Sequence, residues 1–229
     1  MALRAYRGKG SPQDIFEEVQ SILIKERTPL NSLTDQSLKK ILTDADLGVD
    51  CSAFTYYVLN AQSEYLKKGP LDKHISFVNC HGLLGKIRCS LKPVENCDVA
   101  TFSADANSRV IPLSEIEPGD IITMVQQTTE NPELATTSRP DPAERNHVLV
   151  IHQVDYQNYA PTIIHYSHAV AYPEDGEYGT GVKQGTITIS AMDKPISEQI
   201  WKENGLEGMG NRIYNRANKS RTEVRRMRL

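Results

Sequence analysis

The sequence predicts an α+β fold, in which helices come first along the chain and the strands of an antiparallel sheet follow. Apolar residues recur at helical spacing over about the first 66 residues, whereas short β-rich segments separated by turns dominate after Pro118. The chain has 229 residues, of which 39% are hydrophobic and 24% charged. This length and composition can bury a core without disulfides or metals, so we expect one domain over residues 1–210.

Three helices are predicted in the N-terminal part. The first follows Ser11, a hydroxyl cap with a proline next to it. The second begins near Thr34. The third begins at Asp50 and Cys51 and runs to about Leu66, where a glycine–proline pair ends it.

Strands are predicted after the Pro-Gly-Asp turn that starts at Pro118. Two segments show no period: residues 70–110 are predicted to be irregular, and residues 126–146, rich in Thr, Glu, Pro and Ser, to form a loop. The expected strands are residues 121–125, 147–154, 162–169 and 186–190.

Charge is distributed unevenly along the chain, whose formal net charge is −3. Residues 211–229 contain seven basic residues and one acidic residue, Glu223. We therefore expect residues 211–229 to form a basic C-terminal tail. Such a tail either binds an anionic polymer such as cell wall or nucleic acid, or is solvated or paired with acidic residues. No specific nucleic-acid partner is predicted for the chain.

The N-terminus and the hydropathy pattern bear on localisation. No apolar run approaches the roughly 18 residues of a membrane span, and no apolar core follows the basic residues of the N-terminus. We therefore expect no membrane span, and a cytoplasmic protein unless the sequence was trimmed or export follows another route.

The four cysteines fall into two groups, with Cys51 apart from Cys80, Cys89 and Cys97. The spacings in the second group are wider than the C-x₂₋₄-C pairs typical of structural zinc sites, although His81 adjoins one of them. We expect unpaired thiols there, with a disulfide or a metal as alternatives. No metal or organic cofactor is predicted.

Cys51 is the candidate nucleophile because it lies in the first turn of the third predicted helix. Unpaired backbone N–H groups and the helix dipole favour a thiolate there, and the same groups are suited to stabilise an oxyanion. Asp50 is the natural N-cap, and Ser52 shares the first turn. The alternative is a buried structural thiol, since free cysteines are commonly buried.

His147 is the candidate general base, since it opens a predicted strand. A third residue should hold its imidazole in one tautomer, and the neighbouring strand offers His165 and His168. These two lie three residues apart and face opposite sides of a strand, so only one can reach the site. His152 faces away from His147 and is expected at the surface.

Four segments in this order resemble the signatures of NlpC-type cell-wall cysteine peptidases: DCSAF at 50–54, PGDI at 118–121, NHVLVI at 146–151 and IHYS at 164–167. The resemblance implies a papain-like fold, in which the nucleophile helix packs on a central antiparallel sheet. It implies cleavage of peptidoglycan stem peptides through an acyl-enzyme on Cys51, with His147 as base and His165, rather than His168, as the orienting residue. CHAP-type amidases share the order of cysteine and histidine.

The chain departs from the family pattern in two respects. Ala53 stands where the family usually has glycine, and the long separation of Cys51 from His147 makes residues 67–117 and 126–146 look like insertions. The substrate therefore stays open between a peptidoglycan fragment and another small peptide or isopeptide, the latter cleaved by an intracellular amidase. A non-catalytic binding module on the same scaffold is the alternative from a different class.

Overall fold

An eight-stranded antiparallel sheet organises the computed structural model, which describes residues 3–126, 146–171 and 179–229. The strand order is β1-β8-β2-β3-β4-β5-β6-β7. The predicted α+β class is confirmed. The helices are α1 (Pro12–Glu26), α2 (Asp35–Asp44), α3 (Cys51–Tyr65), α4 (Gly82–Leu91), α5 (Pro93–Asn96), α6 (Val99–Ser103) and α7 (Arg212–Lys219). The strands are β1 (Ser108–Val110), β2 (Ile121–Gln126), β3 (His147–Gln157), β4 (Ala160–Ala171), β5 (Thr180–Thr188), β6 (Ile200–Glu203), β7 (Leu206–Glu207) and β8 (Ser220–Met227).

The first three helices begin where their capping residues predict. Ser11 accepts a hydrogen bond from the Asp14 amide at 3.0 Å, and the Asp14 carboxylate accepts one from the Ser11 amide at 2.9 Å. At α3, the Asp50 carboxylate accepts from the Ala53 amide at 2.7 Å, which confirms Asp50 as the N-cap. Local capping chemistry therefore fixes where the helix of Cys51 begins.

The sheet separates two apolar cores, because successive residues of a strand point to opposite faces. Helix α3 packs on β3 and β4, and α7 packs against β2, β6 and β8. The core on the α3 side includes Ala53, Leu59, Phe102, Ile121, Val148 and Val150. The core on the α7 side includes Ile122, Leu149, Ile151, Tyr166, Trp201 and Ile213.

The segment predicted to be irregular contains α4, α5, α6 and β1, so that prediction is wrong. Helix α6 is short but capped, since Asp98 accepts from the Thr101 amide at 2.8 Å, and it buries Phe102 in the α3-side core. The elements α5, α6 and β1 have only three to five residues each, which is too short for a period to be detected in the sequence. Of the predicted loop 126–146, residues 127–145 lie outside the described residues.

Two of the three grouped cysteines are bonded. Cys80 and Cys89 form a disulfide with their Cα atoms 6.4 Å apart, whereas Cys97 is free and buried. The expectation of unpaired thiols is therefore wrong for Cys80 and Cys89. Within the described residues, no helix combines the length and apolarity that a membrane span requires.

Residues 211–229 are not a tail. They form α7 and β8, and β8 lies between β1 and β2, where Ser108 pairs with Met227 and Ile121 with Arg225. Arg225 is 2% exposed and donates to Glu223 at 2.7 Å and to Asp105 at 2.5 Å. Arg225 thus has the acidic partners that a buried arginine requires.

Candidate active site

Cys51 occupies the first position of α3 and is partly exposed, while its sulfur is surrounded by protein atoms. Cys51 packs against the α3-side core, which includes Val148, and the Val148 backbone and the Ser52 side chain lower the pKa of its thiol. Val148 directly follows His147 in β3. The structure therefore brings the candidate nucleophile to the backbone beside the candidate base.

A split between β3 and β4 explains how the Val148 amide becomes available to the thiol. The amide and carbonyl of Ile151 bond to residues just before β2, at 2.9 and 2.8 Å. Because bonding alternates along a strand, the Val148 N–H points the other way, towards β4. Pairing of β3 with β4 starts only at Val150 and Ser167, so the start of β3 pairs with β2 alone. The amino end of α3 lies at this opening.

A buried chain of side chains extends from His147 across the α7 side of the sheet. His147 Nε2 lies 2.8 Å from His168 Nδ1, and the two rings meet nearly edge to face, at 83°. His168 Nε2 lies 2.6 Å from Glu203 Oε2, and the Tyr166 hydroxyl donates to the same oxygen at 3.2 Å. His147, His168, Tyr166 and Glu203 are all buried. We call these four residues the histidine relay.

The hydrogen-bond inventory of the relay assigns the tautomers. A carboxylate at Glu203 only accepts, so His168 Nε2 carries a hydrogen and His168 Nδ1 is an acceptor. His147 must then donate from Nε2, which leaves the lone pair of a neutral His147 on Nδ1. The relay therefore fixes one basic atom, His147 Nδ1.

Electrostatics keep both Cys51 and His147 neutral. Burial raises the pKa of Cys51 and the charge of Asp50 adds to this, while Val148, Ser52 and Arg216 act in the opposite direction. Burial also holds the pKa of His147 well below 6.5, with His168 and Arg216 contributing. Burial and the charge of Asp50 therefore act against the expected thiolate in this structure.

The structure does not bring His165 to His147. His165 Nε2 lies 2.8 Å from Asp155 Oδ2, on the α3 side of the sheet, where its ring is 6.2 Å from that of His152. Because Val150 pairs with Ser167, His168 shares the face of His147. The choice of His165 as orienting residue is wrong, and His168 makes that hydrogen bond. His152 is exposed, as expected.

Sequence patterns missed three residues of this site: Glu203, Tyr166 and Arg216. Arg216 is buried on α7, and its charge acts on both Cys51 and His147. The one sequence signal is in β6, where Glu203 follows Trp201 at the strand period and so shares its buried face. A buried acid in a short strand requires a polar partner.

Among the described residues, no three His, Cys, Asp or Glu side chains are arranged to hold a metal ion. Comparisons of the chain with protein-family models, with curated proteins and with solved structures found no match. The chemistry of the site therefore follows from the geometry of its own residues.

Proposed function

We propose that this protein is a cysteine hydrolase of papain-like arrangement, which cleaves an amide bond through an acyl-enzyme on Cys51. The observation that carries the proposal is the histidine relay, which ends in a carboxylate and begins at His147, the neighbour of Val148 in the core against which Cys51 packs. A cysteine nucleophile requires a base that is itself held in position, and the relay supplies one.

The first step starts from a neutral thiol and a neutral imidazole. In this step the Cys51 sulfur meets His147 at the start of β3, and His147 Nδ1 takes the thiol proton as the sulfur attacks the amide carbon. The carbonyl oxygen becomes an oxyanion beside the first turn of α3. Asp50 already occupies the Ala53 amide, so the N–H groups of Cys51 and Ser52 are the donors left for it.

The second step breaks the carbon–nitrogen bond. His147 returns its proton to the leaving amine, and the acyl group stays on the sulfur as a thioester. His147 then deprotonates a water molecule, which attacks the thioester and releases a carboxylic acid and the free thiol. His168 and Glu203 stabilise the imidazolium that forms in each step.

The substrate proposal follows from the family resemblance. We propose a peptidoglycan stem peptide as the first substrate class to test, with another small peptide or isopeptide as the second. Because burial raises the pKa of the Cys51 thiol, a non-catalytic scaffold is the rival function. Turnover separates these two functions.

The decisive experiment incubates the protein with purified muropeptides and with γ-linked dipeptides and identifies the products by mass spectrometry. We expect Cys51→Ala to lose at least a thousandfold in rate, since no other group can form the thioester. Cys97→Ala is the matched control, because Cys97 is the other free cysteine and lies buried away from the relay. Turnover that persists in Cys51→Ala would refute the nucleophile, and absence of turnover on every substrate would favour the scaffold.

A further inference from the structure

Helix α4 presents four large apolar side chains to the outside of the molecule. An amphipathic helix of a globular protein normally turns its apolar side towards the core, and α4 does the reverse. Of its ten residues, only Cys89 is buried. The four apolar side chains are each between 48% and 82% exposed, and we call them the α4 stripe: Leu83, Leu84, Ile87 and Leu91.

The α4 stripe is continuous and points away from the body of the protein. Successive residues of an α-helix are turned by about 100°, so all four members of the stripe fall within about 100° of the helix circumference. Cys89 lies on the opposite side and is joined to Cys80 by the disulfide. On that same side, a Cβ added to Gly85 would lie 3.2 Å from the Cys80 carbonyl carbon, so the chain packs closely there. The disulfide therefore holds α4 with its apolar side outward.

Basic side chains border the α4 stripe. At about 100° per residue, Lys86 and Arg88 fall on opposite sides of the stripe, and both are exposed. Residues 80–92 contain a third basic residue, Lys92, and no acidic residue, although the whole chain has a net charge of −3. An apolar stripe with lysine and arginine beside it is typical of helices that lie in the interface of an anionic membrane.

A second copy of the chain fits this surface less well than a lipid surface does. In a two-fold dimer the same patch of both copies meets at the interface. Packing of two α4 stripes would therefore bring Lys86 and Arg88 of both copies together, in a segment that has no acid to pair with them. An anionic lipid surface supplies both an apolar medium for the stripe and negative charge for its borders.

We propose that α4 attaches the protein to an anionic phospholipid surface, with the α4 stripe in the acyl boundary and Lys86 and Arg88 at the lipid phosphates. A helix of ten residues is too short to span a bilayer, so it would lie in the plane of the interface. Attachment does not involve Cys51 and can be measured whether or not the protein is a hydrolase.

Co-sedimentation of the full chain with vesicles tests the attachment. One set of vesicles contains phosphatidylcholine alone, and the other contains phosphatidylcholine and phosphatidylglycerol in equal amounts. We expect partitioning onto the mixed vesicles to be stronger by roughly tenfold or more, and to weaken as the salt concentration rises. Absence of binding to the mixed vesicles, or equal partitioning onto both sets, would overturn the proposal.

A variant of the stripe tests its apolar contribution. Leu84→Ser should weaken partitioning onto the mixed vesicles by roughly fivefold, because an apolar side chain no longer enters the acyl boundary. Ile24→Ser is the matched control, since Ile24 is 77% exposed on α1. Both positions are exposed, so both variants should keep the circular dichroism of the wild type. Equal losses in the two variants would show that the stripe has no special role.

A charge variant separates the border of the stripe from the general charge of the protein. Lys86→Gln should weaken partitioning onto the mixed vesicles by about fivefold, which is the expected contribution of one basic residue at an anionic surface. Lys25→Gln is the control, because Lys25 is exposed on α1. A loss in Lys25→Gln equal to that in Lys86→Gln would contradict the proposed orientation of α4. A lipid-free dimer of the wild type that Leu84→Ser dissociates, seen by sedimentation velocity, would instead assign the stripe to a second copy.

Discussion

Two histidines in series make the basic atom of this site depend on a residue that lies far from the thiol. Glu203 holds the hydrogen of His168 on Nε2, and His168 in turn holds the hydrogen of His147 on Nε2. Loss of the Glu203 charge should therefore disturb the proton at His147 without any direct contact between the two residues. Glu203 is accordingly a positioning residue in the proposed mechanism.

Glu203→Gln should lower kcat/KM by roughly tenfold to a hundredfold, the range seen when a supporting carboxylate behind a functional histidine is removed. The acidic limb of the pH–rate profile should also move to lower pH, because the imidazolium loses its negative partner. Glu207→Gln is the control, since Glu207 is exposed and pairs with Lys202 at 2.9 Å. A Glu203→Gln profile that falls in height without moving along the pH axis would indicate a role in folding alone.

Only some residues of the site could be predicted from the sequence. Cys51 and Asp50 could be predicted, since helix caps are local and depend on neighbouring residues. Side chains alternate between the two faces of a strand, so only one of His165 and His168 can reach His147. The register of β3 against β4 decides which of the two does. That register is set by long-range pairing and by an irregularity after Ile151, neither of which a single sequence contains.

At the scale of elements, β5 approaches β4 closely behind the relay. A Cβ added to Gly185 would lie 2.3 Å from the Tyr166 hydroxyl and 2.8 Å from the Lys202 carbonyl. A side chain at this position is therefore incompatible with the present position of the Tyr166 ring. Gly185 allows the Tyr166 hydroxyl to reach Glu203.

Gly185→Ala should displace Tyr166, weaken its hydrogen bond to Glu203 and destabilise the fold by about 1–3 kcal/mol, as overpacking of a filled core does. Chemical denaturation measures the stability change. Gly205→Ala is a control for the added methyl group, since nothing lies within 4 Å of its Cβ position, although its positive φ of 77° adds some backbone strain of its own. Equal stability of Gly185→Ala and wild type would show that Tyr166 has room to move.

Elements that depend on distant partners were the ones that the sequence did not predict. Residues 220–227 contain three arginines and one glutamate, a composition typical of an exposed terminus. They form a strand because Val224 and Met227 enter the two cores while Arg225 finds Asp105 and Glu223. Such compensation appears only once the chain has folded.

At the scale of the whole molecule, burial of a neutral His147 links stability to pH. The pKa of His147 is held well below 6.5 in the folded state, whereas an unfolded histidine titrates near 6.5. The unfolded state therefore binds more protons below that value. Stability from this group is present above pH 6.5 and is lost as the pH falls towards the folded pKa.

We expect the free energy of unfolding to fall by roughly 1.4 kcal/mol for each pH unit below about pH 6 on account of this one residue. Urea denaturation between about pH 7.5 and pH 5 measures the slope, and His147→Asn should reduce it. His81→Asn is the control, because His81 is exposed. An identical slope in wild type and His147→Asn would contradict the buried neutral imidazole.

The interior position of β8 also affects the order in which the fold can form during synthesis. During synthesis β1, β2 and β3 leave the ribosome long before residues 220–227, so one side of β2 has no neighbour until those residues emerge. Helix α7, which carries Arg216 and lies over the sheet, arrives just ahead of them. A nascent chain can thus form the helix of Cys51 early, but the surroundings of Cys51 and His147 are complete only when β8 has paired with β1 and β2.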